Sequence, residues 1–466
     1  MPDFVPEIVP LPLNSSASER IRHWLRTVLG LDRAIGFTVL ARFWGGAAGL
    51  VTVALIARFL SPAEQGYYYT FGSLVALQII FELGFSFVIL QLASHERAEL
   101  SISSDYEITG NPTARARLAS VIQKSVRWYS VAALLMFATV LPLGLYFFST
   151  HDHTGHTVSW LAPWCLDALM AALNFQIDPL LSFLEGCGYV PEVARLRFMQ
   201  SVTGSLLAWL ALMIHHGLFA PSMMLFGMAL ASLVWLVGKR KLLFGLLRYH
   251  AGPNRISWGV EVWPFQWRIA VSWFCGYFIF WLFNPVLFAF RGPVEAGQMG
   301  MSLSLANAIQ AIAVSWVSTK SAPFGTLIAR KEYGRLDHAF FQALRQAVAV
   351  SIAGALTAWL GVTYLNLQHI RFAQRLLDPI SIAMLMLTMI TNVTIFAQAY
   401  YLRAHKQEVF LINSIVGALT VTAFTLIFGR LYGARGIVVS CCIGSFPGLM
   451  WSTFLFQKYR RLWHTR

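Results

Sequence analysis

Between Ala34 and Phe456 the chain is a succession of apolar runs, each close to the roughly 20 residues that a helix needs to cross a bilayer. Twelve can be parsed, over 34–60, 67–94, 126–149, 158–184, 196–214, 220–237, 264–290, 296–319, 341–365, 376–402, 407–428 and 433–456. Inside lipid every backbone N–H and C=O needs an internal partner, so runs of this length are helices. Only 12% of the residues are charged and 57% are hydrophobic, about half the ~25% charge that covers a soluble domain. The reading is an all-α integral membrane protein with little mass outside the bilayer, and soluble enzyme classes fall away.

Thirty-five Lys and Arg against 21 Asp and Glu leave a net charge of +14. In a membrane protein that excess reports topology rather than nucleic acid, because Lys and Arg collect on cytoplasmic segments. Under the twelve-span parse, 28 of the 35 basic residues fall on the side of the N-terminus. Five (Arg291, Arg371, Arg375, Arg430, Arg435) fall opposite, and Arg42 and Arg58 lie within span one. The expectation is a multi-pass membrane protein with an even number of spans and both termini cytoplasmic. Residues 1–18 lack a basic n-region and a small-residue cleavage site and read as a short tail, not a signal peptide. Glu19 to Leu31 carries Ile21, Trp24, Leu25 and Val28 on one side and is expected to lie flat on the inner surface. The five cysteines sit in or beside apolar runs with no Cys-x-x-Cys spacing, so neither a disulfide framework nor a thiolate metal site is indicated.

The loop after span one, Ser61-Pro62-Ala63-Glu64-Gln65-Gly66, matches the loop after span seven, Gly292-Pro293-Val294-Glu295-Ala296-Gly297. Pro-x-Glu-x-Gly thus recurs 231 residues apart, about half the chain, and the same register aligns Ser73-Leu74 with Ser304-Leu305. Six spans lie between the copies. The pattern predicts two six-helix bundles related by a pseudo-two-fold axis along the membrane normal, with a cleft between them where such transporters bind substrate. The corresponding divisions are a tail and interfacial helix (1–33), a first bundle (34–237), a basic cytoplasmic linker (238–263), a second bundle (264–456) and a short tail (457–466).

Leu55-Ile56-Ala57-Arg58-Phe59-Leu60-Ser61-Pro62-Ala63-Glu64-Gln65-Gly66-Tyr67-Tyr68 resembles the start of the polysaccharide flippase family, the Wzx-type branch of the multidrug/oligosaccharidyl-lipid/polysaccharide exporter superfamily. Trp263-Pro264-Phe265-Gln266-Trp267-Arg268-Ile269-Ala270, followed by Ala296-Gly297-Gln298-Met299-Gly300-Met301, resembles the opening of that family's second half. The resemblance implies a flippase that moves polyprenyl-diphosphate-linked oligosaccharide to the outer leaflet by alternating access, for lipopolysaccharide or exopolysaccharide biosynthesis. Its partners would be the lipid-linked oligosaccharide, membrane lipids, and polysaccharide polymerase and export machinery. An ion-coupled multidrug exporter of the same superfamily is the main alternative. An integral glycan-modifying enzyme is the third, disfavoured by short outer loops.

No Gly-x4-Gly-Lys-Ser/Thr is present to cradle a nucleotide, and no cofactor is expected. His95-Glu96-Arg97-Ala98-Glu99 lacks the second histidine of a zinc-protease helix, and Asp105-Tyr106-Glu107 reads as a solvated loop. His151 to His156 holds three histidines that can ligate a metal, or forms a polar hairpin that needs none.

Ionisable residues inside spans are costly and usually face a cavity or a partner. Arg42 sits where its planar fork can meet an entering diphosphate, or it pairs with Glu82 on the next span. Arg58, Arg268 and Arg291 are further substrate-binding candidates at the mouths, although snorkelling explains Arg58 and Arg291 as well. Asn307 belongs to a polar stripe with Ser304, Ser315 and Ser318 on span eight, which serves the substrate or helix packing. Glu82, Asp167 and Asp178 are the ion-coupling candidates. Asp167 and Asp178 lie eleven residues apart, three turns and so one face, with Asn174 between them. Asp178 alternatively satisfies backbone groups freed at Pro179. Trp263-Pro264 and Asn284-Pro285 interrupt span seven at both ends, marking it as the expected gate.

Overall fold

Helix boundaries fall where the sequence supplies turn chemistry. The computed structural model describes residues 33–103, 106–151, 158–250, 252, 255–405 and 409–464. α1 (Arg33–Phe59) ends before Ser61, whose hydroxyl accepts the Glu64 N–H while the Glu64 carboxylate accepts the Ser61 N–H at 2.7 Å. This capping box, with Pro62 at the first position, starts α2 (Pro62–Val75). α3 (Gln78–Glu82) and α4 (Phe85–Arg97) carry on the same span through a 44° bend made by Leu83 and Gly84, both left-handed. β1 (Leu100–Ile102) and β2 (Ile108–Gly110) pair as a hairpin, and Tyr106 and Glu107 of the stretch read as a solvated loop lie in the loop that joins the strands, Glu107 exposed; Asp105 lies outside the described residues.

Asn111 caps α5 (Pro112–Thr150), and α6 (Leu161–Gly186), α7 (Val190–Met213) and α8 (Ala220–Gly238) follow. α6 runs unbroken through Pro179. In the linker, α9 (Arg240–Arg248) is amphipathic and buries Leu242, Leu243 and Leu246. Span seven is broken as its prolines suggested, but the break falls at Trp281–Leu282, between α10 (Trp263–Phe280) and α11 (Phe283–Arg291). Pro264 and Pro285 instead sit in the first turns of these helices, where a missing N–H does no harm. α12 (Pro293–Ser318), α13 (Ser321–Ala329), α14 (Tyr333–Leu367), α15 (Pro379–Ala404) and α16 (Leu411–His464) complete the chain.

Eight of the described helical stretches are long and apolar enough to cross a membrane, and the bent α2–α4 unit makes a ninth. α16 counts among the eight once but is two helices, because Gly433 stands at φ 64°, ψ −148° in its middle. α1, 27 residues long, and α6, 26 residues long with Asp167, Asn174, Gln176 and Asp178 lowering its hydropathy, bring the span count to twelve. The protein is an all-α multi-pass membrane protein with two lobes. α1 to α8 pack mainly among themselves, as do α10 to α16. The face that carries most of the Lys and Arg is called the basic face below, and the opposite one the lean face. The tail helix expected over Glu19–Leu31 and the His153 and His156 pair lie outside the described residues. Among the described residues no group of three or more His, Cys, Asp or Glu is placed to hold a metal.

Candidate functional site

The repeated Pro-x-Glu-x-Gly motif marks the seam between the lobes. α2 and α12 cross at Gly66 and Gly297, so closely that a Cβ on Gly66 would stand 1.9 Å from the Pro293 carbonyl oxygen. A Cβ on Gly300 would stand 2.3 Å from the Tyr69 ring. Equivalent residues of two related halves meet only on the axis that relates them, which is why the motif pairs with its own copy. Gln65 fastens the crossing: its side-chain amide donates to the Gly297 carbonyl (2.8 Å) and the Arg375 carbonyl (3.0 Å). Arg375 answers with bonds to the Leu60 carbonyl (2.5 Å) and the Gln65 side-chain oxygen (3.3 Å). Below this lies an aromatic plug in which Tyr67 and Phe148 of the first lobe meet Phe288 of the second, with Tyr67 and Phe288 centroids 4.8 Å apart, and Phe71 and Trp164 pack behind them. All five rings are buried. The lean face is therefore shut.

The two motif glutamates do different work. Glu64 caps its own helix, whereas the Glu295 carboxylate accepts the Ala434 N–H at 2.6 Å, across the Gly433 kink. Asp378 caps α15 through Ser381 and pairs with Arg435 (3.1 Å). With several donors and a cation around it, the Asp378 carboxyl is held below the usual carboxylate range despite partial burial.

Below the seam, a cavity of about 1160 Å³ extends toward the basic face. Phe43, Gly45 and Gly46 of α1 form one wall, and the polar stripe of α12 forms another, from Asn307 and Gln310 through Ser315 to Thr319 and Lys320. Gln346 of α14 and Tyr400 of α15 stand near its basic end, and Phe280, Trp281, Trp316 and Phe396 supply aromatic surface. A second cavity of about 460 Å³ enters the second lobe past Asn307, with Thr388, Asn392, Asn413 and Arg403 among its lining. Among the described residues neither lining contains an Asp or Glu, while Lys320 and Arg403 each contribute a cation.

Of the substrate-binding candidates, Asn307 lines both cavities. Arg58 is exposed at the lean end of α1, its guanidinium 5.8 Å from the Phe59 ring. Arg291 is exposed too and donates to the Leu431 carbonyl at 2.5 Å, tying α11 to the kink in α16 rather than facing either cavity. Arg42 and Arg268 lie on α1 and α10, but their side chains are outside the described residues, and the proposed Arg42–Glu82 pair with them.

The three acids stay in the first lobe and separate into two settings. Asp167 is 1% exposed, with one carboxylate oxygen lacking a hydrogen-bond partner among the described residues. Glu82 ends α3 at the bend beside the Ser86 hydroxyl, which is 3.0 Å from the Tyr129 hydroxyl. Asp178 is exposed and lies within electrostatic reach of Glu82. The shared helical face of Asp167 and Asp178 therefore does not mean a shared environment, and between them Asn174 bonds the Leu225 carbonyl of α8 (2.9 Å). Lys320, Gln346, Tyr400 and Arg403 were missed from sequence, because polar residues at helix ends look like ordinary interfacial anchors.

No family model matches this sequence, and no curated protein sequence does. Solved structures do. A multidrug resistance MATE family transporter of the MOP superfamily in its inward-facing conformation superposes with a TM-score of 0.60 at 13% identity, over 91% of this chain and 99% of that one. The chain has the fold of the MOP-superfamily transporters. An outward-facing structure of such a transporter gives 0.52 at 13% identity, over 94% of this chain and 98% of the other. The lipid II flippase MurJ in an inward closed conformation gives 0.54 at 14% identity, over 90% and 86%. Identities this low carry the fold and leave the substrate open.

Proposed function

We propose that this protein is a bacterial inner-membrane flippase that moves polyprenyl-diphosphate-linked oligosaccharide units from the cytoplasmic to the outer leaflet by alternating access, for cell-surface or exported polysaccharide. The observation that supports this reading is the lining of the large cavity: amides, hydroxyls, aromatic faces and the Lys320 cation, with no acid among the described residues. Sugar hydroxyls pair with Asn307, Gln310 and Gln346, and the C–H faces of the sugar rings pack on Trp281 and Trp316. Lys320, at the basic mouth, meets the diphosphate as it enters, a place where Arg42 and Arg268 also remain candidates. The polyprenyl chain stays in lipid. With the lean face shut and the basic end open, the structure suits the loading step of such a cycle, and no nucleotide site is needed if an ion gradient or substrate gradient drives turnover.

The same lining argues against the alternative of a multidrug exporter for organic cations, which needs acids in the cavity. Glu82, Asp167 and Asp178 keep an ion-coupling role within the first lobe in either case. Deletion of the gene is expected to abolish surface polysaccharide while lipid-linked units build up inside the cell. Normal export in a clean deletion strain removes the flippase reading, and drug efflux that falls in an Asp167→Asn strain would favour the exporter.

A further inference from the structure

α16 carries two ladders that face each other across its kink. Phe424, Phe428 and Tyr432 recur every four residues before Gly433, and Gly436 and Ser440 recur every four residues after it. Residues four apart share a helix face. The rings stack along the first helix, with Phe424 and Phe428 centroids 5.6 Å apart and Phe428 and Tyr432 6.3 Å apart. Gly436 packs directly onto the first helix, where a Cβ would stand 2.3 Å from the Phe428 carbonyl oxygen, and beside this contact runs a trough of about 460 Å³ lined by the rings, Ser440, Val439 and Ile443, with Arg435 at its lean end. From Arg435 to Ile443 it runs about 12 Å at 1.5 Å per residue, nearly the ~15 Å of one hydrocarbon leaflet. Tyr432, Val439 and Ile443 are exposed on the outside of the bundle, so the trough opens to the bilayer.

Its mouth is cationic on the face that is otherwise poor in cations. Three of the five arginines there gather around the Leu431–Arg435 turn: Arg291 bonds the Leu431 carbonyl, Arg430 stands 5.7 Å from the Phe290 ring, and Arg435 lines the trough. Arg435 uses its Nε on Asp378 at 3.1 Å, and its side chain is 75% exposed, which leaves its terminal nitrogens open to a second anion. Positive-inside sorting works against such a cluster, and an anion at that interface accounts for it.

From this placement we infer that the trough is a binding site for an anionic phospholipid of the lean-face leaflet, one acyl chain lying along the groove beside the helix contact, against the rings, Val439 and Ile443, and the phosphate on Arg435. The site adjoins the kink that Glu295 and Asp378 hold, so its lipid braces the corner of the second lobe next to the shut seam. This inference is independent of what the central cavity transports.

Native mass spectrometry of the full-length detergent-purified protein, incubated with dioleoyl phosphatidylglycerol or dioleoyl phosphatidylcholine, tests it. The wild type is expected to retain one phosphatidylglycerol about fivefold better than phosphatidylcholine, the factor set by one interfacial charge. Arg435→Gln brings the two lipids level. Asp378→Asn, which frees the Arg435 fork, raises phosphatidylglycerol retention, whereas a merely structural Asp378–Arg435 pair makes both variants behave alike. Val439→Trp and Ile443→Trp, both at exposed positions, fill the trough and remove the retained lipid of either kind. Equal retention by the wild type, selectivity that survives Arg435→Gln, parallel behaviour of the two charge variants, or lipid still held by both tryptophan variants overturns the site. Displacement of phosphatidylglycerol by a polyprenyl phosphate overturns it as well, since the trough then belongs to the transport path.

Discussion

Lys320 and the pair His405 and His464 show how much a single side chain can be asked to do near the basic face. Lys320 is exposed at the end of the polar stripe on α12 and is the cation of the large cavity among the described residues. A charge-assisted contact to phosphate contributes about 1.5–3 kcal/mol, so Lys320→Gln is expected to raise the half-saturating concentration of a diphosphate-linked substrate roughly tenfold or more. Lys320→Arg retains most of the affinity. Flipping assays in proteoliposomes read both, and an unchanged Lys320→Gln variant removes this residue from the site.

The histidines concern stability instead. His405 follows α15, its ring stacked on Trp463 at 4.2 Å and one ring nitrogen buried without a partner among the described residues. His464 stacks on Tyr333 at 4.5 Å and meets the Tyr401 hydroxyl at 3.0 Å. Burial holds both below the usual histidine range. A lowered folded pKa means the neutral form favours the fold. Their contribution is then complete above the unfolded value of about 6.5 and is lost as pH falls below it toward the folded value. Between pH 7.5 and 5.5 the wild type should lose more in melting temperature than a His405→Gln/His464→Gln double variant. An equal loss in both proteins contradicts the argument.

At the scale of elements, the kink at Gly433 turns one 54-residue helix into two spans. Its backbone, at φ 64° and ψ −148°, lies in a region open essentially to glycine alone, and a Cβ there would stand 2.1 Å from the Glu295 carboxylate. Gly433→Ala is therefore expected to destabilise by about 3 kcal/mol or more, the combined cost of backbone strain and a lost carboxylate bond. Differential scanning fluorimetry in detergent measures it. A wild-type melting temperature would falsify the account of the kink.

Elements of this kind were legible to different degrees. Span positions could be read because about 20 apolar residues have no other stable use in lipid, and the Pro-x-Glu-x-Gly copies could be read because both start a helix. The β1–β2 hairpin could not, since three-residue strands carry no period to detect. The bend at Leu83 could not either: a leucine in a left-handed conformation is set by its surroundings, not by its type. In the site, Asn307 was visible as part of a stripe at helical spacing. The cavity's cations were not, because a Lys or Arg at a helix end on the basic face needs no further explanation.

For the whole molecule, the question is what must break for the lean face to open. Gly66 and Gly297, the aromatic plug around Phe288 and the Gln65–Arg375–Leu60 bonds all join one lobe to the other on the same side. Contacts made in one state only are the ones that set its population. Arg375 supplies two bonds from the second lobe to the first, and its removal costs the shut state about 1–3 kcal/mol, enough to shift the shut-to-open ratio by roughly five- to a hundredfold. Gly66→Ala acts on the same equilibrium by sterics, since no shut arrangement accommodates a methyl 1.9 Å from a carbonyl oxygen. Spin labels at Ala63→Cys and Gln374→Cys, across the seam, should report a short distance in the parent protein. A longer population should grow with Arg375→Gln and dominate with Gly66→Ala. Both variants should also slow transport, because a cycle needs the shut state to load from the basic side. If the label distance stays short in Gly66→Ala, the glycine crossing is not what closes the lean face, and the aromatic plug alone must carry the seal.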